Sequence, residues 1–268
     1  METDFDVITE KKGIFSLFTL KIIGFFCLVI STVAWSGLVR QELLRFILGF
    51  LGAPSILIFL FAMNEALKKT SSVNKYMLRV LALAVISAFP YFMIYRDLTS
   101  EKISFSNYLS APFTVFYSIG IIYSCDKIKS KGLKTFMLLL FIGMAMFIGV
   151  EWAPVSLIFA IIIHNYDAPP LQKFRDFNIY LLSGAILIIG GFLYLSTEAF
   201  RTSDDLFRII TTSGAMLGVP LIKNYNGEYS RKEGKFAKFA MKFGFYFAYP
   251  TMLIVIAVIK YFVINSAE

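Results

Sequence analysis

Long apolar runs alternate with short polar segments along most of the chain. A helix needs about 20 apolar residues to cross the hydrocarbon core of a bilayer, so runs near this length predict membrane-spanning helices. Nine runs are predicted as spans: residues 15–38, 46–66, 77–95, 108–125, 133–150, 152–164, 179–196, 206–222 and 243–264. The pattern predicts an all-α, polytopic integral membrane helix bundle with about nine transmembrane helices (8–10).

The fifth and sixth predicted spans are the least regular part of this pattern. The sixth run is short and follows the fifth after Glu151 alone. The two runs form either a tight hairpin or one interrupted element, and the sequence leaves both arrangements open.

Composition points to the same class of protein. Of the 268 residues, 57% are hydrophobic and only 16% are charged, whereas soluble domains carry about 25% charged residues. The mean hydropathy is +0.70. These values argue against a water-soluble enzyme, and they exclude a collagen, a coiled coil, a disordered tail and a disulfide-stapled secreted domain. Residues 1–268 are predicted to form a single transmembrane domain that starts with a short cytoplasmic tail, residues 1–14.

The net charge of +8 is explained by topology. When the loops are assigned to alternate sides of nine spans, 19 of the 26 Lys and Arg residues fall on one side and 7 on the other. Cytoplasmic loops carry the excess of basic residues. The distribution predicts a multi-pass protein of the bacterial inner membrane, with its N-terminus in the cytoplasm and its C-terminus in the periplasm. The predicted partner is the lipid bilayer, and no nucleic acid partner is predicted.

The chain lacks the residues for a zinc site. It has two cysteines, Cys27 and Cys125, which lie in or at the end of apolar runs, and one histidine, His164. A structural zinc site needs four nitrogen or sulfur ligands at close spacing. No metal is therefore predicted. Small residues instead indicate where helices pack closely, at Gly214 with Gly218 and at Gly143 with Gly149.

Several segments, in order along the chain, resemble the TraX family. Residues 75–91, KYMLRVLALAVISAFPY, resemble its third-helix motif, which reads like KYLLRLLxFALISxxPY. Residues 20–24 are similar to its first-helix LKIIA, residues 225–228 to its YNGE loop, and residues 245–250 to its last-helix FYxFYP. Residues 52–54 look like a degraded form of its second-helix GRIAFP.

The resemblance implies a function. The family is named for an inner-membrane protein that N-acetylates conjugative pilin with the acetyl group of acetyl-CoA. For this chain the resemblance implies acetyl-CoA as a possible co-substrate, and pilin or another envelope acceptor as a partner. Acetyl transfer to an amine requires a group that accepts the amine proton and donors that stabilise the oxyanion.

The family's histidines are replaced in this chain. The Asp-His pair of its first helix corresponds to Ser31 and Thr32, and the histidine of its last helix corresponds to Met252. His164 is then the predicted catalytic base, acting on the CoA side, and the alternative for it is a solvated helix end. Tyr249 matches the last-helix motif and is the second predicted catalytic residue.

Four basic residues are predicted to bind the phosphates of CoA: Lys75, Arg79, Arg231 and Lys232. The alternative is that they serve only as positive-inside residues or bind anionic lipid. For the whole chain the alternative to an acyltransferase is a non-enzymatic assembly or export partner of an envelope structure. A small transporter is disfavoured, since neither intramembrane charges nor an internal repeat stands out.

Overall fold

The computed structural model describes residues 13–95, 109–148, 154–197, 202–228 and 235–265. Within these ranges the regular structure is helical, without a β-strand. The α-helices are α1 Leu17–Trp35, α2 Glu42–Gly52, α3 Pro54–Lys69, α4 Val73–Tyr95, α5 Ala111–Lys127, α6 Lys131–Ile148, α7 Val155–Asn165, α8 Gln172–Ser196, α9 Ser203–Ser213, α10 Val219–Lys223 and α11 Lys235–Asn265. Short 3₁₀ turns at Pro169–Leu171 and Gly214–Gly218 precede α8 and α10.

Local sequence explains where several of these helices begin. Ser16 caps α1, because its hydroxyl accepts a hydrogen bond from the backbone N–H of Thr19 at 3.2 Å. Pro54 is the first residue of α3, where a missing N–H costs nothing. Helices α2 and α3 follow each other with only Ala53 between them, and together they form one apolar length, Glu42–Lys69.

The all-α prediction is confirmed, but the count of nine spans is not. Among the described residues, seven helical lengths are long and apolar enough to cross a membrane: Leu17–Trp35, Glu42–Lys69, Val73–Tyr95, Lys131–Ile148, Pro169–Ser196, Asp205–Lys223 and Gly244–Val263. The predicted spans 108–125 and 152–164 correspond to α5, with 17 residues, and α7, with 11. At 1.5 Å per residue, α7 covers only about half of the hydrocarbon core. The residues between α6 and α7, 149–153, lie outside the described ranges.

The helix ends meet at two opposite ends of the bundle. At the first, which we call the polar end, the final turns of α3, α5 and α7 meet the segment after α10, through Asn64, Asp126, His164 and Tyr225. The backbone before α1 also pairs there, since Phe15 donates to Asn224 and Asn226 donates to Phe15, each at 2.9 Å.

At the opposite end, the last turn of α1 meets α9. The rings of Trp35 and Phe207 lie 4.5 Å apart. The end of α4 meets the end of α11 there, because Lys260 donates to the carbonyl of Ile94. The chain therefore runs back and forth between the two ends, and the short helices α5 and α7 take part in this alternation.

The interior of the bundle is centred on α3. Buried residues fill most of this helix, and it contacts α1, α5, α7 and the turn Gly214–Gly218. The outer helices are different: only 6% of the apolar window of Lys131–Ile148 and 11% of that of Pro169–Ser196 are buried. Large apolar side chains such as Phe147 and Ile188 are exposed on them. Such wide apolar surfaces need a hydrocarbon environment, so the chain is a membrane protein.

Glycines allow the closest helix contacts. A Cβ added at Gly214 would lie 2.6 Å from the carbonyl oxygen of Phe50, and one at Gly218 would lie 3.0 Å from Leu57 Cδ2. The predicted packing role of Gly214 and Gly218 is therefore confirmed. The prediction for Gly143 is wrong, because no atom lies within 4 Å of its Cβ position on the outer helix α6. Gly149 lies outside the described residues.

Candidate functional site

A cavity of about 150 Å³ lies between α1, α3, α4, α5 and α11. Most of its lining is apolar, and its polar side chains come from four different helices. The lining residues are Lys21, Phe25, Leu28, Ser55, Ile56, Phe59, Ala62, Met63, Tyr76, Val80, Leu83, Ala111, Pro112, Val115, Phe245, Tyr246 and Tyr249.

Helical periodicity brings these residues to one space. On α1 the lining residues Lys21, Phe25 and Leu28 recur at intervals of four and three, which places them on one face. Helix α4 repeats this spacing, from Tyr76 through Val80 to Leu83. One face of α1 and one face of α4 therefore border the cavity, each over about two helical turns.

Three of the segments that resemble the TraX family meet at this cavity. Lys21 comes from residues 20–24, Tyr76 from residues 75–91 and Tyr249 from residues 245–250. These segments are far apart in the sequence, so their meeting is a property of the fold. The segment 225–228 lies at the polar end instead, where Tyr225 contacts α3.

The structure places Tyr249 in the cavity lining, as a residue that is only 5% exposed. The positions that match the family's Asp-His pair lie elsewhere. Ser31 and Thr32 are buried where α1 packs against α2, and a Cβ at Gly52 would lie 2.5 Å from the backbone nitrogen of Ser31. The Thr32 hydroxyl donates to the carbonyl of Leu28 at 2.8 Å. Met252 packs beside Tyr249 in an apolar cluster and does not line the cavity.

His164 lies at the polar end and is not part of the cavity lining. Its Nδ1 is 3.0 Å from Asn64 Oδ1, and its Nε2 is 3.0 Å from Asp126 Oδ1. The histidine, in the last turn of α7, therefore links α3 to α5 while its side chain stays 28% exposed. The two predicted catalytic residues, His164 and Tyr249, are placed at separate sites.

Further charged residues at the polar end were not predicted as a group. The Tyr225 hydroxyl donates to Glu65 Oε2 at 3.2 Å, and Lys68 forms ion pairs with Glu65 and Asp167. Burial, together with the adjacent Glu65 carboxylate, raises the pKa of Tyr225. These contacts tie α3 to the segments that follow α7 and α10. No local signal marks the Tyr225–Glu65 and Lys68–Asp167 contacts, since their partners are about a hundred residues or more apart. The Glu65–Lys68 pair is local, three residues apart on α3.

Arg175 is the largest fully buried side chain at this end of the molecule. It is 2% exposed and donates twice to Asp176 Oδ1, from Nε at 2.9 Å and from Nη2 at 2.8 Å. Its Cζ lies 5.8 Å from the centre of the Phe61 ring. A buried guanidinium with these partners fixes the start of α8 against α3.

Two of the predicted CoA-binding residues, Lys75 and Arg79, do not line the cavity. Lys75 is exposed, and Arg79 is half-buried. Arg79 Nε donates to the backbone carbonyl of Lys75 at 3.1 Å. Arg79 Cζ is 6.0 Å from the ring of Tyr76, which borders the cavity. Arg231 and Lys232 lie outside the described residues. In the part of the chain that the structure describes, no group of three His, Cys, Asp or Glu side chains could hold a metal ion.

The cavity can bind an acyl group and polarise its carbonyl. Its walls offer apolar contacts, while the Lys21 ammonium and the tyrosine hydroxyls are hydrogen-bond donors suited to an oxyanion. Among the described lining residues there is neither a carboxylate nor a histidine. The described lining therefore offers apolar contacts and hydrogen-bond donors, without a carboxylate or imidazole as proton acceptor.

No protein-family model matches this chain, and neither a curated protein nor a solved structure matches it. The resemblance to the TraX family stays a prediction that rests on short segments. What the structure adds is the cavity where three of these segments meet.

Proposed function

We propose that the chain is a TraX-like membrane acyltransferase, which transfers an acyl group from acyl-CoA to an envelope acceptor such as conjugative pilin. Acetyl is the group that the family resemblance implies. The observation that carries the proposal is the convergence of Lys21, Tyr76 and Tyr249 on one apolar cavity from three family-like segments.

In the proposed reaction the acceptor amine attacks the thioester carbonyl. The C–N bond forms, the C–S bond breaks, and the amine proton passes to the departing CoA thiolate. Lys21 donates a hydrogen bond to the oxyanion that develops on the carbonyl, and Tyr249 lines the deeper wall that holds the acyl group. Removal of one such donor costs roughly 100-fold to 1,000-fold in rate.

The proposed orientation puts the polar end in the cytoplasm of a bacterial cell, at the inner membrane. The excess of basic residues in the loops assigned to this side supports it. Lys75 and Arg79 lie near the start of α4, on the same side as the polar end. There they would meet the phosphates of a cytoplasmic CoA, with Arg231 and Lys232 as further basic residues of that side.

Purified protein in proteoliposomes, given labelled acyl-CoA and pilin or a peptide with a free N-terminus, tests the proposal. We expect transfer by the native chain, a loss of about 100-fold in Lys21→Met, and a smaller loss in Tyr249→Phe. Lys129→Met, which changes an exposed loop lysine, is the matched control and should retain full activity. Absence of transfer to every acceptor would refute the enzymatic proposal.

A second candidate function is a non-enzymatic assembly or export partner of an envelope structure. It is favoured by the packed positions of Ser31 and Thr32 and by the lack of a carboxylate or histidine in the described lining. Complementation separates the two candidates. If Lys21→Met restores envelope assembly as well as the native gene does, the partner role is supported; if it fails while the protein is present at normal levels, the enzyme is supported.

A further inference from the structure

The cavity is elongated along the helices that border it. Its lining runs over eight residues of α1, from Lys21 to Leu28, and over eight of α4, from Tyr76 to Leu83, which is seven steps along each helix. With a rise of 1.5 Å per residue, this corresponds to about 10 Å. Both helices begin at the polar end, so Lys21 and Tyr76 lie nearer to that end, and Leu28 and Leu83 lie deeper.

The deep part of the cavity is bounded by apolar residues. Leu28, Leu83 and Ala111 pack against the same buried cluster, which contains Tyr249. Ala111 is the first residue of α5, and its small side chain leaves the space open there. Apolar walls favour hydrocarbon over water.

The volume of about 150 Å³ is larger than an acetyl group needs. An apolar cavity of roughly this size in a protein holds a benzene molecule, which has six carbon atoms. Acetyl would leave most of the walls without contact atoms, and such voids are unfavourable.

We propose that the cavity selects an acyl chain of about four to six carbons, with its carbonyl beside Lys21 and its hydrocarbon end against Leu28, Leu83 and Ala111. This inference rests on the proposed function for the thioester donor, and it changes the expected donor from acetyl-CoA to a longer acyl-CoA. A membrane lipid could supply the same hydrocarbon chain, so the experiment compares both sources.

A series of acyl-CoA thioesters from acetyl to octanoyl measures the selection. We expect kcat/KM to rise roughly fourfold with each added methylene as far as the six-carbon chain and then to fall. Ala111→Leu fills the deep end and should move the optimum to acetyl. Ala248→Leu, on α11 outside the lining, is the matched control and should leave the optimum unchanged. An optimum at acetyl in the native chain, unaltered by Ala111→Leu, would overturn the inference.

Photolabelling tests the cavity without requiring transfer. The probes are a short-chain acyl-CoA and a short-chain phospholipid, each with a diazirine at the end of its acyl chain. Labelling of Leu28, Leu83 or residues 111–115 by either probe, reduced at least tenfold in Ala111→Leu, supports the inference and identifies the source. Labelling confined to other residues, or no labelling, overturns it. Cavity labelling without transfer from any thioester would refute the proposed function alone.

Discussion

Helix α1 borders two regions that differ in how completely they are packed. In its first half, Lys21, Phe25 and Leu28 face a cavity that four other helices share. In its second half, Ser31 packs so closely on α2 that Gly52 has no room for a side chain. We call this second region, formed by Ser31, Thr32, Gly49 and Gly52 with α9, the tight seam. The family's Asp-His positions fall in the tight seam, and the polar groups that line a ligand-sized space fall in the cavity.

The largest effect is expected from a side chain added in the tight seam. Gly52→Val places a Cβ 2.5 Å from the Ser31 nitrogen and should lower the free energy of unfolding by about 3 kcal/mol or more. The yield of monodisperse protein in detergent and its thermal midpoint measure the effect. Gly143→Val is the control, since nothing lies within 4 Å of that Cβ position. Equal stability of the two variants would contradict the packing described.

Restoring the family's pair in the tight seam should damage the protein rather than activate it. Ser31→Asp with Thr32→His introduces a charged or polar group at positions that are 3% and 5% exposed. An aspartate within a membrane helix costs about 3 kcal/mol. We expect lower thermal stability and no gain in acyl transfer. Ser31→Ala is the matched control, and a stable double variant with increased transfer would show that the seam is the catalytic centre.

Truncating leucines compares the packed core with the cavity wall. Leu57 is fully buried on α3. Leu57→Ala should lower the free energy of unfolding by about 3 kcal/mol, because it leaves a void in a filled interior. Leu83→Ala enlarges a cavity that already exists, so we expect it to lower the free energy of unfolding by only about 1 kcal/mol. Thermal unfolding in the same detergent measures both variants. A larger loss for Leu83 than for Leu57 would mean that the cavity is filled in the protein.

The smallest effect is expected at the polar end. His164→Ala removes the hydrogen bonds to Asn64 and Asp126 that link α7 to α3 and α5, at a cost of about 1 kcal/mol. Acyl transfer should stay near the native level, because His164 does not line the cavity. Asn165→Ala changes an exposed neighbour and should alter neither property. A loss of transfer in His164→Ala at normal stability would restore the histidine as a catalytic residue.

The sequence predicted the helical class and part of the candidate site. Tyr249 was selected through its motif and lies in the cavity, whereas Lys21 was seen only as part of a family-like segment. The contacts of His164 with Asn64, Glu65 with Tyr225 and Arg175 with Phe61 could not be predicted, because each joins segments that are far apart in the sequence. The sequence predicted spans at α5 and α7, whereas the structure gives these helices 17 and 11 residues, since apolar runs do not reveal where helices begin and end.

The sequence alone determined that this chain lies in a membrane and roughly where its apolar helices run, because the length of an apolar run is a local property. Only the tertiary structure decided which of these helices are central. Glu42–Lys69 is 67% buried over its apolar window and Lys131–Ile148 only 6%, although both are strongly apolar, with hydropathies of 2.3 and 1.7. Lipid tails and a protein interior are similarly apolar, so composition does not distinguish a helix surrounded by helices from one surrounded by lipid. Side-chain shape and the rare polar contacts made that choice, and they also left the cavity open beside α1.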